Sequence, residues 1–298
     1  MPKAIKHFLI LAFICCSGLN VPAQQMNAYQ DTLIRLANAT REANDNNERY
    51  AINSRFIKTL VAALKTKNSF QYGFDSLKQI SILTSPDRTF RIFSWNVAAD
   101  GGSYRFFGTI QMATKDGSLK LFPLIDATAD LKNTDEITDA KKWYGSRYYE
   151  IIPIITAGKQ TWYALLGWKG SMAKTAKKVI EALSFENGNP VFGKNVFEGQ
   201  KGTPIKNRIV FEYNRLNSMT LRLDKKEAMI IFDHLAPFNP EMTGNFEYYG
   251  SDSSFDGYKP VNGRLKLMEN IKLLNDPNAM DDFYIDPTLK NTPAVKKF

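Results

Sequence analysis

The order of apolar and polar positions divides the chain into three stretches with different periods. Phe8–Cys16 is an uninterrupted apolar run. Between residues 28 and 66 the apolar positions recur at helical spacing, and from Ile80 onward the period falls to two.

The first run is preceded by Lys3 and Lys6, broken by Ser17, Gly18 and Asn20, and followed by Val21-Pro22-Ala23. A short positive segment, a short apolar core and small residues at the reading positions predict a cleavable secretory leader over 1–23, cut after Ala23. The run is far shorter than the roughly 20 residues of a spanning helix, and no later stretch approaches that length, so no transmembrane segment is expected in the mature chain. Cys15 and Cys16 follow Phe13 and Ile14 rather than the small residues of a lipoprotein signal. They are the only cysteines, so cutting the leader removes any disulfide or thiolate metal site.

A helical segment is expected over 24–70. Leu33, Leu36, Ala37 and Thr40 form one stripe within 28–44, and Phe56, Leu60, Ala63 and Leu64 form another within 48–66. The polar Asn44–Asn47 run favours a turn between them, giving an antiparallel helical hairpin.

A β-rich domain is expected over 71–275, with a solvated tail over 276–298. Strand-like stretches at 80–83, 89–97, 103–112 and 118–125 are separated by Ser85-Pro86-Asp87, Asp100-Gly101-Gly102 and Lys115-Asp116-Gly117, which carry turn chemistry. Ala127–Ser146 reads as a polar surface excursion with a short helix near Ile137. A hairpin at 148–156 and 161–168 turns around Ala157-Gly158-Lys159. Ser171 reads as an N-cap, since Ala176, Val179, Ile180 and Leu183 follow at helical spacing and Asn187-Gly188 closes the segment. Strands are expected again at 208–213, 219–223, 228–232, 246–249 and 264–273. The fold class is mainly β (α+β): an antiparallel meander packed as a sandwich, an open barrel or a short propeller-like stack, with the helical hairpin and one internal helix.

Composition fits this picture, with 44% hydrophobic and 12% aromatic residues, as in globular chains. The formal charge of +9 becomes +7 once Lys3 and Lys6 leave with the leader. A basic surface outside the cytoplasm, periplasmic or at the cell surface, suits an acidic glycan or an acidic envelope protein. Nucleic acid is not expected, because the charges are dispersed and no reading motif is present.

Candidate chemistry is sparse. Asp252-Ser253-Ser254-Phe255-Asp256-Gly257 has the first half of a calcium loop, with oxygen donors on Asp252, Ser254 and Asp256 and glycine next. Gly263 stands where a bidentate glutamate would complete the shell, so the alternative is an Asp/Ser/Gly-rich connection and no other cofactor is expected. His234, the sole histidine beyond the leader, follows Asp233, but neighbours on a strand point to opposite faces and Asp233 is badly placed to orient the ring. Ser171-Met-Ala-Lys174 has a Ser-x-x-Lys spacing without its companion motifs. Trp143-Tyr144 follows Lys141-Lys142 in the polar excursion, and an exposed aromatic pair beside two lysines would suit an anionic glycan or an acidic protein.

Phe90–Asn96 (FRIFSWN), Phe232–Pro237 (FDHLAP) and Ser251–Tyr258 (SDSSFDGY) resemble segments of a group of exported bacterial proteins without an assigned activity. The resemblance covers mainly residues 80–273 and implies no catalytic residues. The leading expectation is therefore a non-catalytic binding or interaction module of the cell envelope. The alternative is a hydrolase of envelope polysaccharide using paired carboxylates from Asp233, Asp252 and Asp256.

Overall fold

The structure, a computed structural model, describes residues 21–156, 158, 161–171 and 173–273. Most of the expected leader, the turn residues Ala157 and Lys159 and the expected C-terminal tail lie outside these residues.

Two helices, α1 (Val21–Glu42) and α2 (Asn46–Leu64), form the expected hairpin. Asp45 caps α2 by accepting from the Glu48 amide at 2.9 Å, and the Glu48 carboxylate accepts from the Asn44 amide at 3.1 Å. This reciprocal satisfaction of free donors fixes the turn. A four-stranded antiparallel meander follows: β1 (Ser81–Thr84), β2 (Phe90–Ala98), β3 (Tyr104–Met112) and β4 (Lys120–Ile125).

The second sheet comprises β5 (Thr138–Asp139), β6 (Arg147–Ile155), β7 (Thr161–Lys169), β8 (Thr175–Glu186) and β9 (Asn189–Phe192), in the order β5-β9-β8-β7-β6. After β10 (Phe197–Glu198), β11 (Arg208–Asn214) returns to pair along β8. The third sheet has the order β10-β15-β14-β13-β12, built with β12 (Leu221–Asp224), β13 (Met229–Pro237), β14 (Tyr249–Val261) and β15 (Arg264–Met268). Only the short β10–β15 pair among the named strands is parallel.

Three apolar layers join four structural layers. Leu33, Phe56 and Leu60 of the helices meet Phe93, Trp95 and Val97 of the first sheet. On the opposite face of that sheet, Phe90, Ile92 and Ile110 pack against Tyr163, Leu165 and Val179 of the second sheet. The far face of the second sheet places Trp162, Ala164 and Ile180 against Ile230, Phe232 and Tyr258 of the third. The molecule is thus mainly β, two sandwiches sharing a middle sheet, with the helical pair as an outer layer.

That sharing corrects the expected internal helix after Ser171, which is strand β8. Its even positions Ala176, Ile180 and Ala182 enter one core and its odd positions Val179 and Leu183 the other. Each fully buried Ile, Val or Leu contributes about 1.5–3 kcal/mol, whereas helix propensities differ by only about 0.7 kcal/mol per ordinary residue. Burial on two faces therefore outweighs the accidental helical spacing. Asp252–Gly257, for which the sequence left a connection as the alternative, also lies inside a strand, β14.

Glu181 of β8 faces Arg208, its register partner on β11, with Nε to Oε1 at 2.6 Å and both side chains fully buried. The Tyr148 hydroxyl approaches the other Glu181 oxygen at 3.4 Å and accepts from the Trp143 indole at 2.8 Å. Burial pushes the Glu181 carboxyl upward while Arg208 opposes the shift. Removing one partner strands the other as an uncompensated buried charge. Glu181→Ala should therefore lower stability by about 3–5 kcal/mol in urea denaturation, and the double replacement Glu181→Leu with Arg208→Met should recover most of the loss.

Candidate functional site

The two helices cover the first sheet incompletely, and a cavity of about 270 Å³ remains between them. Helix α1 presents Ala37, Thr40 and Arg41 to it, at i, i+3 and i+4, and α2 presents Arg49, Asn53 and Phe56, at i, i+4 and i+7. The floor comes from Trp95 and its neighbours on β2, the sides from Gln79, Ile80 and Tyr104, and one wall from Arg147 at the start of β6. The volume suits a group near the size of one sugar ring or amino acid, close to the small end of ligand cavities.

The floor is rigid. The Trp95 indole donates to Asn53 Oδ1 at 2.9 Å, lies edge-on to Phe56 at 5.2 Å and stacks on Phe107 at 5.9 Å. One rim is tied down as well, since Arg49 pairs with Asp100 at 3.0 Å and Asn46 accepts from the Asp100 amide at 2.9 Å. Gln79 donates to Asn38 at 3.2 Å, while its buried Oε1 has no partner among the described residues.

The charge balance of the walls is one-sided. Three arginines line the cavity and no carboxylate does. Arg49 has Asp100, and Arg41 donates to Asn38 Oδ1 at 2.6 Å. Among the described residues the Arg147 guanidinium has no hydrogen bond or ion pair. Burial, with Arg41 nearby, holds its guanidinium below the usual arginine range.

The residues singled out by sequence lie elsewhere. Trp143 and Tyr144, expected to be exposed, are buried at 0% and 1% exposure. The Trp143 amide bonds to Ile125 O at 2.9 Å, which draws the excursion back onto the edge of the first sheet, and the indole packs over Gly108. Tyr144 shares the Lys169 ammonium with Phe106, each ring centroid 4.5 Å away. Burial pulls the Lys169 amine down to about 8. Lys141 is exposed, whereas Lys142 pairs with Glu136. An aromatic pair in a polar segment fills the space between two sheets here because it is the largest apolar surface that the segment can bury.

Asp252, Ser254 and Asp256 lie on or beside a β-bulge, where Asp252–Ser254 stand opposite the single residue His234 and Ser253 has φ 72°. Asp252 accepts from both the amide and hydroxyl of Ser254, at 2.9 and 2.7 Å, and these bonds hold its carboxyl below the usual range. Asp256 turns instead to His234 Nδ1 at 2.8 Å and the Asn270 amide at 2.9 Å. Among the described residues, no group of three or more His, Cys, Asp or Glu side chains is arranged to hold a metal ion.

Asp233 accepts from the Thr220 amide at 2.8 Å. Because Asp256 is in register with Phe232, it shares that residue's face of the sheet, while Asp233 points to the other. Ser171 accepts from the Ala173 amide at 3.0 Å, and the exposed Lys174 pairs with Glu247 at 2.7 Å, so the Ser-x-x-Lys spacing assembles no nucleophile and base.

The sequence reading missed the arginine-walled cavity. Its residues come from α1, α2, β2, β3, β6 and the segment before β1, and arginines this far apart in the chain leave no local motif. Comparison with protein-family models, curated proteins and solved structures finds no match for this chain.

The hydrogen bond to Asp256 raises the His234 pKa above its ordinary value, and partial burial opposes the rise. A raised folded-state pKa contributes stability in full below the unfolded value of about 6.5 and loses it as pH rises through the folded value. At 46% side-chain exposure, solvent keeps this contribution small. An NMR titration should place His234 above about 6.5, and Asp256→Asn should bring it back toward that value.

Proposed function

We propose that the protein is exported to the bacterial cell envelope and acts there as a non-catalytic binding module, taking the end of an acidic glycan in the cavity between the helical pair and the first sheet. The observation that carries this reading is the wall of three arginines without a carboxylate. An acidic ligand gains from such a field, and the enclosed position weakens competition from water. Export is supported by the charged, apolar and small-residue sequence of residues 1–23.

Binding is favoured over envelope-polymer hydrolysis because Asp233 and Asp256 point from opposite faces of one sheet. A glycosidase needs two carboxyl groups facing one bond across a single cleft.

Cell fractionation should place the native protein in the envelope fraction with its N-terminus near Gln24, and the intact chain in the cytosol would refute export. In equilibrium binding, polygalacturonate should bind and neutral dextran should not. Ala37→Trp, which fills the cavity from α1, should weaken polygalacturonate binding at least about tenfold, as expected for loss of a buried charge-assisted contact. Its thermal melting would verify that the variant is folded.

A further inference from the structure

We infer that Arg147 and Arg41 form a two-guanidinium clamp for one oxyanion, a carboxylate or a phosphate ester, which bridges the helical pair to the β-body when ligand binds. This rests on the binding reading above and names the group that the cavity recognises. Arg147 leaves the first residue of β6, in the middle sheet, whereas Arg41 sits in the last turn of α1, in the outer layer. The two side chains reach the same cavity from different layers and sense one another electrostatically.

The deeply buried arginines each have an ion-pair or hydrogen-bond partner, although Arg208 Nη2 itself has none among the described residues. Arg208 has Glu181, and Arg91, equally deep, donates to Gln111 at 2.8 Å and to two backbone carbonyls while three phenylalanine rings surround it. Arg49, on the same cavity, has Asp100. Arg147 stands apart, since it is half-buried, lines the same cavity as Arg41, and its guanidinium has no hydrogen bond or ion pair among the described residues. Partial desolvation and the nearby Arg41 charge both disfavour that guanidinium, and an anion bound between them relieves both.

A planar fork of donors from each side matches the oxygens of one carboxylate or phosphate. The tethered partners are placed to tune the clamp. Asn38 orients Arg41 at 2.6 Å and also accepts from Gln79 at 3.2 Å.

The test uses the protein with galacturonate, glycerol 3-phosphate and neutral galactose as probes. At least one of the two anions should bind about tenfold or more tighter than galactose, as charge-assisted hydrogen bonds predict. The preferred anion separates a carboxylate source from a phosphate source. Arg147→Gln should abolish the preference and leave the ligand-free melting temperature unchanged or raised, because it relieves a repulsion. Arg41→Gln should weaken anion binding likewise.

Two results would overturn the clamp: no preference of either anion over galactose, or an Arg147→Gln variant that melts lower while keeping the preference. If the clamp fails while Ala37→Trp still weakens polygalacturonate binding, the cavity remains the binding site and only the oxyanion assignment falls. If Ala37→Trp has no effect, the cavity reading falls first.

Discussion

The structure depends on a middle sheet that must bury both of its faces. Strands β7 and β8 have almost no solvent side, so every second residue of each enters a different core. A sheet in that position leaves no room for ordinary polar alternation, and the one carboxylate on the buried stretch of β8, Glu181, requires an equally buried Arg208 beside it. The pair also pulls in the backbone of the preceding excursion, because Arg208 donates to the Glu136 carbonyl at 3.2 Å as well as to Thr134 O. One polar contact thereby fixes β11 against β8 and seats the 127–146 segment over the edge between the first and second sheets.

The outer layers follow from what the middle one leaves exposed. The third sheet covers one face of the middle sheet and the first sheet covers the other. The first sheet then has its own apolar outer face, with Phe93, Trp95 and Val97, and the helical pair covers it. Two helices reach across a twisted four-stranded sheet less completely than another sheet would, which leaves the cavity beside Trp95. Its walls are polar because they belong to the ends of elements: the last turn of α1, the first turn of α2 and the start of β6. Arg41, Arg49 and Arg147 are gathered there by the layering, and the binding function proposed for the cavity is a consequence of how the layers end.

The bulge at Asp252–Ser254 shows the same dependence on context. Its spacing of oxygen donors resembles a cation loop, yet cross-strand pairing with β13 keeps the segment extended and gives Asp256 to His234. Asp252 closes a small turn with its own neighbour Ser254. Local donors remain available to one another when the chain offers no second set of ligands.

By itself the sequence determined the mainly β class, the antiparallel meander of the first sheet and the helical hairpin, with ends displaced by a few residues. The helices are each buried on one face, so the period of their apolar residues reports them directly, and the strands of the first sheet are marked out by the turn residues between them. It also showed, through alternation, that Asp233 and His234 point apart. Only the tertiary structure decided that Thr175–Glu186 is a strand, because burial on two sides removes the period that distinguishes strand from helix. It decided as well that Trp143 and Tyr144 belong to the core, and that three arginines from distant segments meet in one cavity. Such convergence depends on the stacking of sheets, a long-range property that no window of neighbouring residues contains.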